Sequence, residues 1–391
     1  MLDSFFEIYH KQLHRLENPI RRRLMDEIDW KKRLIAIKGS RGVGKTTFLL
    51  QYARENFGVS KRCLYVNFND FYFSNHSLLD FAAEFVDQGG NTLLLDQTFK
   101  YPKWAEDLRA IYDRFPQLRI IFSASPVMRL KESNEHIGDI VDMYNLRGFS
   151  FREFLNLKGG QNFKPITLQE ILENHEQIAS QISKTLNPLW YFPDYLHHGF
   201  YPFLINSSSY LEQLLREINM MLEVDILIIK QIDVNYLPRI RQLLYRMLND
   251  APCKLNVSQL AEEIDTSRAT VMNYLKYLKD ARLLNLLYNY GKSFPQKPKL
   301  VYLQNTNLLY AISSRQYSPE IISETFFYNA LHGSHIVSAS ESNAKFLVDG
   351  KYAFNVAEQA SLKPTLRLTA VHNLVVGRNR QIPLWLFGFL Y

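Results

Sequence analysis

Short apolar runs separated by helical patterning fill the first third of the chain. Leu34–Ile37, RCLYVNF at 62–68, GGNTLLLD at 89–96 and LRIIFSAS at 118–125 are short and apolar, and they predict buried strands. Between the first two, Phe48, Leu49, Tyr52 and Ala53 recur at helical spacing over residues 47–54. NDFYFSNHSLLDFAAEF at 69–85 predicts a helix from about residue 77 to 87, with Ser74 or Asn75 as its cap. Strands alternating with helices predict a doubly wound parallel sheet, which places ligand groups at the carboxyl ends of its strands.

The pattern then changes. Residues 150–250 carry helical periodicity, as in SYLEQLLREINMML, and read as a lid and connector; the aromatic-rich YFPDYLHHGFYPFL there reads as core. His197 and His198 in that stretch have no carboxylate or cysteine at metal spacing. VSQLAEEI places Leu260, Ala261 and Ile264 on one helical face. DTSRATVMNYLKYLKDARLL starts on Thr266 or Ser267 as a cap and buries Val271, Tyr274, Leu275 and Leu278. Two helices joined by a short turn, followed by LLNLLYNYG and KLVYLQ as a two-stranded wing, predict a winged helix-turn-helix. Arg268, Ala269, Asn273 and Lys276 fall on its outward face, as phosphate and base-edge contact in a major groove requires, and YGKSFPQKPK adds three lysines on the wing.

Composition narrows the class. A chain of 391 residues with 47% hydrophobic residues, 23 Tyr and 26 Phe can bury more than one core. Its longest apolar stretches, such as DILII and IPLWLFGFLY, fall short of the roughly 18 residues a spanning helix needs. MLDSFFEIYHKQ lacks the layout of a signal peptide, so a cytoplasmic protein is expected. Cys63 and Cys253 belong to no CxxC or Cys/His cluster, which excludes a disulfide framework and a zinc site of that type. A formal net charge of +7 and a pI near 9.1 mildly favour an acidic partner.

The chemistry concentrates in RLIAIKGSRGVGKTTFLLQYAREN at 33–56. Gly39, Ser40, Arg41, Gly42, Val43, Gly44, Lys45, Thr46 and Thr47 lie between a predicted strand and a predicted helix and contain GxxxxGK[ST]. Glycines let backbone N–H groups turn onto phosphate oxygens, and a helix N-terminus adds a favourable dipole. Lys45 is expected to reach the β and γ phosphates of ATP, and the Thr46 hydroxyl to hold Mg²⁺. Asp96 ends the third strand and is the expected second Mg²⁺-associated group. LRIIFSAS ends in two serines, Ser123 and Ser125, either of which could bond a γ-phosphate or satisfy a loop; Ser123 is taken into the expected site.

The segments IKGSRGVGKTT, LLLDQTFKYPKWAEDLRAIYDRFPQLRIIFSAS and LRGFSFREFL resemble the bacterial and archaeal AAA-type P-loop ATPases that carry a C-terminal nuclease-like domain. The resemblance continues through ETFFYNAL to the terminal IPLWLFGFLY. It implies an α/β fold with a P-loop NTPase domain over 1–155, a helical lid over 156–250, the winged helix-turn-helix over 251–305, and a restriction-endonuclease-like domain over 306–391.

The same resemblance exposes three departures. The residue after the Walker B aspartate is normally a glutamate that polarises the attacking water, and here it is Gln97. The usual arginine pair between the fourth strand and SFREFL is missing from KESNEHIGDIVDMYNL, leaving Arg129, Arg147 or Arg152 as substitutes. The nuclease-like Asp, Glu and Lys correspond to Lys345, Asn355 and Gln359; Asp349, in a VDGK hairpin turn, and Glu358 lie nearby.

The leading expectation is an ATP-binding switch with slow or absent hydrolysis, with Asp96, Gln97 and Ser123 at the reaction centre. Double-stranded DNA at Arg268, Asn273 and Lys276, and a protein partner or second copy, are the expected macromolecular contacts. An active ATPase that activates water with another residue, and an ATP-regulated nuclease, are the alternatives.

Overall fold

The computed structural model describes residues 2–16, 20–131, 134–205, 209–312, 316–363 and 366–391. Its contacts divide the chain into two compact units, 1–147 and 148–391.

The first unit opens with helices α1 (Leu2–Arg15) and α2 (Leu24–Glu27) and continues as β1 (Leu34–Lys38), α3 (Lys45–Asn56), β2 (Cys63–Asn67), α4 (Leu78–Asp87), β3 (Thr92–Asp96), α5 (Trp104–Arg114), β4 (Arg119–Ala124) and β5 (Asp142–Asn145). The five strands pair in parallel in the order β2-β3-β4-β1-β5, as the alternating pattern predicts. β3 is buried along its whole length and β1 over all but Lys38, as strands covered on both faces must be. β4 separates β1 from β3, with Ile37 level with Ser123 and Leu95 level with Phe122. The loop after β1 and the carboxylate at the end of β3 thus flank the end of β4.

Two details differ from expectation. The cap of α4 is Ser77, whose side chain accepts from Asp80 N; Ser74 and Asn75 belong to a 3-10 turn that Asp70 caps. Edge strand β5 has no apolar signature because half-exposed Asp-Met-Tyr-Asn pairs with β1 along one side only.

The second unit comprises α6 (Phe151–Lys158), α7 (Leu168–Thr185), α8 (Pro188–Asp194), α9 (Tyr210–Met220), α10 (Leu237–Asp250), α11 (Val257–Glu263) and α12 (Arg268–Asp280). They are followed by β6 (Leu284–Leu287), β7 (Leu300–Leu303), α13 (Thr306–Ile312), α14 (Pro319–His332), β8 (Val337–Ala339), β9 (Phe346–Val348), β10 (Tyr352–Ala357), β11 (Leu368–Val371) and β12 (Gln381–Pro383). Ser150 and Glu153 close a buried capping box at the start of α6.

One apolar core joins Phe151 and Phe154 of α6, Phe326 and Phe327 of α14, Phe354 of β10, and Trp385 and Phe387 near the terminus. Strands β8 to β12 form a mixed sheet in the order β12-β11-β10-β9-β8, antiparallel from β8 to β10 and parallel from β10 to β12. The predicted VDGK turn joins β9 to β10, with Asp349 at φ 53° and Gly350 at φ 66°, as a two-residue hairpin of that handedness requires. No helix among the described residues is long and apolar enough to cross a membrane.

Candidate nucleotide-binding site

Residues 39–44 connect β1 to α3 as a loop whose conformation requires glycine at three positions. Gly42 and Gly44 sit at φ 78° and 91°, and a Cβ on Gly39 would lie 2.5 Å from the Leu146 carbonyl oxygen. Gly44 leaves α3 without a side-chain cap, so the first N–H groups of the helix stay available to an anion. The Lys45 ammonium folds back over this loop, donating to the carbonyls of Gly39 at 2.7 Å and Ser40 at 2.8 Å. Ser40 and Val43 are buried, Thr46 and Thr47 are exposed, and the Arg41 guanidinium lies 5.3 Å from the Phe99 ring centre. From the preceding segment, buried Arg22 donates to the Val43 carbonyl at 3.1 Å and the Arg147 carbonyl at 2.6 Å, which pins the back of the loop.

Asp96 meets this loop from β3 and is only 2% exposed. The Thr46 hydroxyl donates to its Oδ2 at 2.6 Å, and the Tyr65 hydroxyl donates to the same oxygen at 2.8 Å. The Ser123 hydroxyl donates to Oδ1 at 2.5 Å, and the Gln97 backbone N–H donates to Oδ1 at 3.0 Å and to Ser123 Oγ at 2.9 Å. Gln97 achieves this at φ 59°, a left-handed conformation that a side chain adopts only under strain. Buried Thr98 holds the Ser123 carbonyl from the other side at 2.8 Å. Burial and the neighbouring Asp96 push the Tyr65 hydroxyl well above its ordinary range, so it stays protonated and remains a donor.

The donor set fits a magnesium–triphosphate group. A hydroxyl that gives its proton to a carboxylate keeps its lone pairs, so Thr46 can offer oxygen to Mg²⁺ without leaving Asp96. Lys45 and the uncapped start of α3 would hold the phosphates. The structure therefore brings the P-loop, Asp96, Gln97 and Ser123 into one place. Pattern reading missed Tyr65 and Arg22. Tyr65 stands two residues before Asn67, the β3-paired partner of Asp96, and so faces the same side of the sheet; no local motif marks Arg22.

Residues 31–155 match the family model of an AAA domain. Over those residues the chain is similar to AAA domains. Residues 189–316 match a domain of unknown function, DUF8612. An uncharacterized protein of Methanocaldococcus jannaschii, MJ1637, is 26% identical over 304 residues, covering 72% of this chain and 63% of that protein. The chain thus spans less than two thirds of that relative. AMPPCP-bound DnaA from Aquifex aeolicus is 16% identical, with a TM-score of 0.26 over 68% of this chain and 91% of that one. PCH-2 of C. elegans is 13% identical, with a TM-score of 0.22 over 71% of this chain and 66% of that one. Similarity that loose carries no argument about this molecule.

The remaining predicted residues lie in the second unit, apart from exposed Arg129 and from Arg147, whose carbonyl receives Arg22. Arg268 and Asn273 are exposed on α12, whose cap is Ser267, and the half-buried Lys276 lies 4.7 Å from the Phe294 ring centre. Of the wing lysines, Lys299 donates to the Ser340 carbonyl at 3.1 Å. Arg152 is anchored to the Tyr391 and Phe163 carbonyls. The Lys345 ammonium pairs with buried Glu324 of α14 at 2.8 Å, while the Tyr302 hydroxyl donates to the other Glu324 oxygen at 2.9 Å. The Lys345 backbone N–H donates to Asn355 Oδ1 at 3.1 Å. Gln359 is exposed beyond the end of β10 and joins none of these groups. His197 stacks on Tyr310 with ring centres 3.5 Å apart, and its burial lowers its pKa; contrary to expectation His198 does have a carboxylate neighbour, its Nδ1 lying 3.2 Å from Asp194 Oδ1 one helical turn earlier. No metal-ligating cluster occurs among the described residues.

Proposed function

We propose that this chain binds ATP with Mg²⁺ through its AAA-type domain and holds it with impaired hydrolysis, as a nucleotide-dependent switch. The observation that carries the reading is Gln97 beside an intact binding set. Lys45, Thr46 and Asp96 keep the groups that bind, while the amide of Gln97 can bond a water but cannot accept its proton. Loss of a general base typically lowers rate by about 10²–10⁴-fold.

The test incubates the purified chain with labelled ATP and Mg²⁺ for about an hour and identifies the nucleotide that remains bound. Intact ATP supports the switch. ADP released at a useful rate overturns it, and the absence of bound nucleotide, in a chain whose Lys45→Ala variant behaves identically, removes the site altogether.

The proposal extends to the second unit. The arrangement α11, α12, β6, β7 suits a winged helix-turn-helix that meets double-stranded DNA through Arg268, Asn273 and Lys276. Salt-dependent binding to a DNA duplex, weakened by an Arg268→Ala/Lys276→Ala pair, would support this contact; binding unmoved by the pair would exclude it. Residues 306–391 are proposed as a nuclease-like domain without nuclease chemistry. Glu324 pairs there with the ammonium of Lys345, the residue that stands where the resemblance noted in the sequence implies a metal-binding Asp.

A further inference from the structure

Asp96 receives four hydrogen bonds among the described residues, from Thr46 and Tyr65 on Oδ2 and from Ser123 and the Gln97 backbone on Oδ1. An ionised carboxylate offers about four lone-pair positions. Its acceptor capacity is therefore already filled by the protein. A metal-bound water seeking Asp96 must displace one of these donors.

The four are not equally replaceable. Thr46 can keep its bond to Asp96 while its lone pairs turn to a cation. The Oδ1 side is locked, because Ser123 both donates to Asp96 and accepts from Gln97 N, and Thr98 fixes the Ser123 carbonyl. Tyr65 is the remaining side-chain donor on Oδ2. The residue is 2% exposed on β2, and Asn67 Nδ2 donates to the phenol oxygen at 3.2 Å, which orients the hydroxyl toward Asp96.

We propose that Tyr65 is a positioning residue that restrains metal engagement at the nucleotide site: its phenol occupies the lone pair of Asp96 that a Mg²⁺-bound water would take. The inference rests on the nucleotide reading above and deepens it. Binding of nucleotide alone, through Lys45 and the loop, is independent of Tyr65. Engagement of the cation is opposed by it.

The test measures ATP affinity of the full chain by calorimetric titration, first in EDTA and then across a Mg²⁺ series, for the wild type and Tyr65→Phe. The affinity in EDTA should agree between the two within about twofold. The Mg²⁺ concentration giving half of the metal-dependent gain should fall about tenfold in the variant, equivalent to about 1.4 kcal/mol. A merely structural role for the phenol would alter both conditions together.

An unchanged or raised Mg²⁺ midpoint, with ATP still bound, overturns the Tyr65 assignment and leaves the nucleotide reading standing. No ATP binding by the wild type in either condition overturns both. Should circular dichroism show that Tyr65→Phe is unfolded, Tyr65→Met, a flexible apolar side chain without a hydroxyl, repeats the measurement.

Discussion

At the scale of single residues, the proposed nucleotide site is a set of polar groups whose partners decide their roles. Gln97 contributes its backbone N–H to Asp96 and Ser123, a task that any residue at φ 59° performs. In the proposed switch its side chain is the part that bears on chemistry. Gln97→Glu should raise single-turnover ATP hydrolysis by about 10²–10⁴-fold with little change in ATP affinity, measured with labelled ATP and excess protein. Gly39 lies at the other extreme, with no side chain and no room for one. Gly39→Ala forces a Cβ against the Leu146 carbonyl, so the variant should lose about 1–3 kcal/mol in denaturant unfolding, and its ATP binding with it.

At the scale of elements, the links between them carry the predictions. Ser150 starts α6 with a capping box although both partners are buried, so its hydroxyl satisfies a backbone donor that water cannot reach. Ser150→Ala should cost about 1–2 kcal/mol, read from the urea midpoint at constant slope. Lys345, just before β9, holds Glu324 of α14 in the core. Burial raises the Glu324 carboxyl above its ordinary value, while the Lys345 ammonium and the Tyr302 hydroxyl pull it back. A carboxyl with a raised folded pKa stabilises most below its unfolded pKa, and that contribution is lost as pH rises through the folded value. Without Lys345 the folded value rises further. Lys345→Ala should therefore unfold at lower urea than the wild type, with a wider gap at about pH 8 than at about pH 5.

At the scale of the whole molecule, two units with separate cores offer two places for unfolding to begin. ATP with Mg²⁺ at about 100 times its Kd should stabilise the first unit by about 2.7 kcal/mol. Differential scanning calorimetry should then show one transition moving upward with nucleotide while the other stays in place. A Lys45→Ala chain should show neither transition moving. The division at Arg147 and Gly148 places α6 with the second unit, where Phe151 and Phe154 enter the core shared by α14 and the terminal residues 384–390. Local pattern gives no sign of this, because the rings that meet Phe151 and Phe154 come from other elements, Phe192 of α8 with Tyr195 just beyond it, and Phe389 near the end of the chain.

What the sequence alone determined is whatever local chain physics fixes. Glycine spacing between an apolar run and a helical run set the loop of residues 39–44, and alternation of runs set the parallel sheet. Asp349 and Gly350 set the hairpin, and the periodicity of Val271, Tyr274, Leu275 and Leu278 set the buried face of α12. The cap of α4 was missed by two or three residues because Ser74, Asn75 and Ser77 carry the same local chemistry, and only the 3-10 turn before the helix separates them. The tertiary structure decided everything that depends on which strands become neighbours. Placing β4 between β1 and β3 brings Ser123 to Asp96, and pairing β2 with β3 brings Tyr65 to the same carboxylate. Packing α14 against its sheet turns Lys345 toward Glu324. Each of these contacts joins residues far apart in the chain, and no short-range periodicity encodes such a distance.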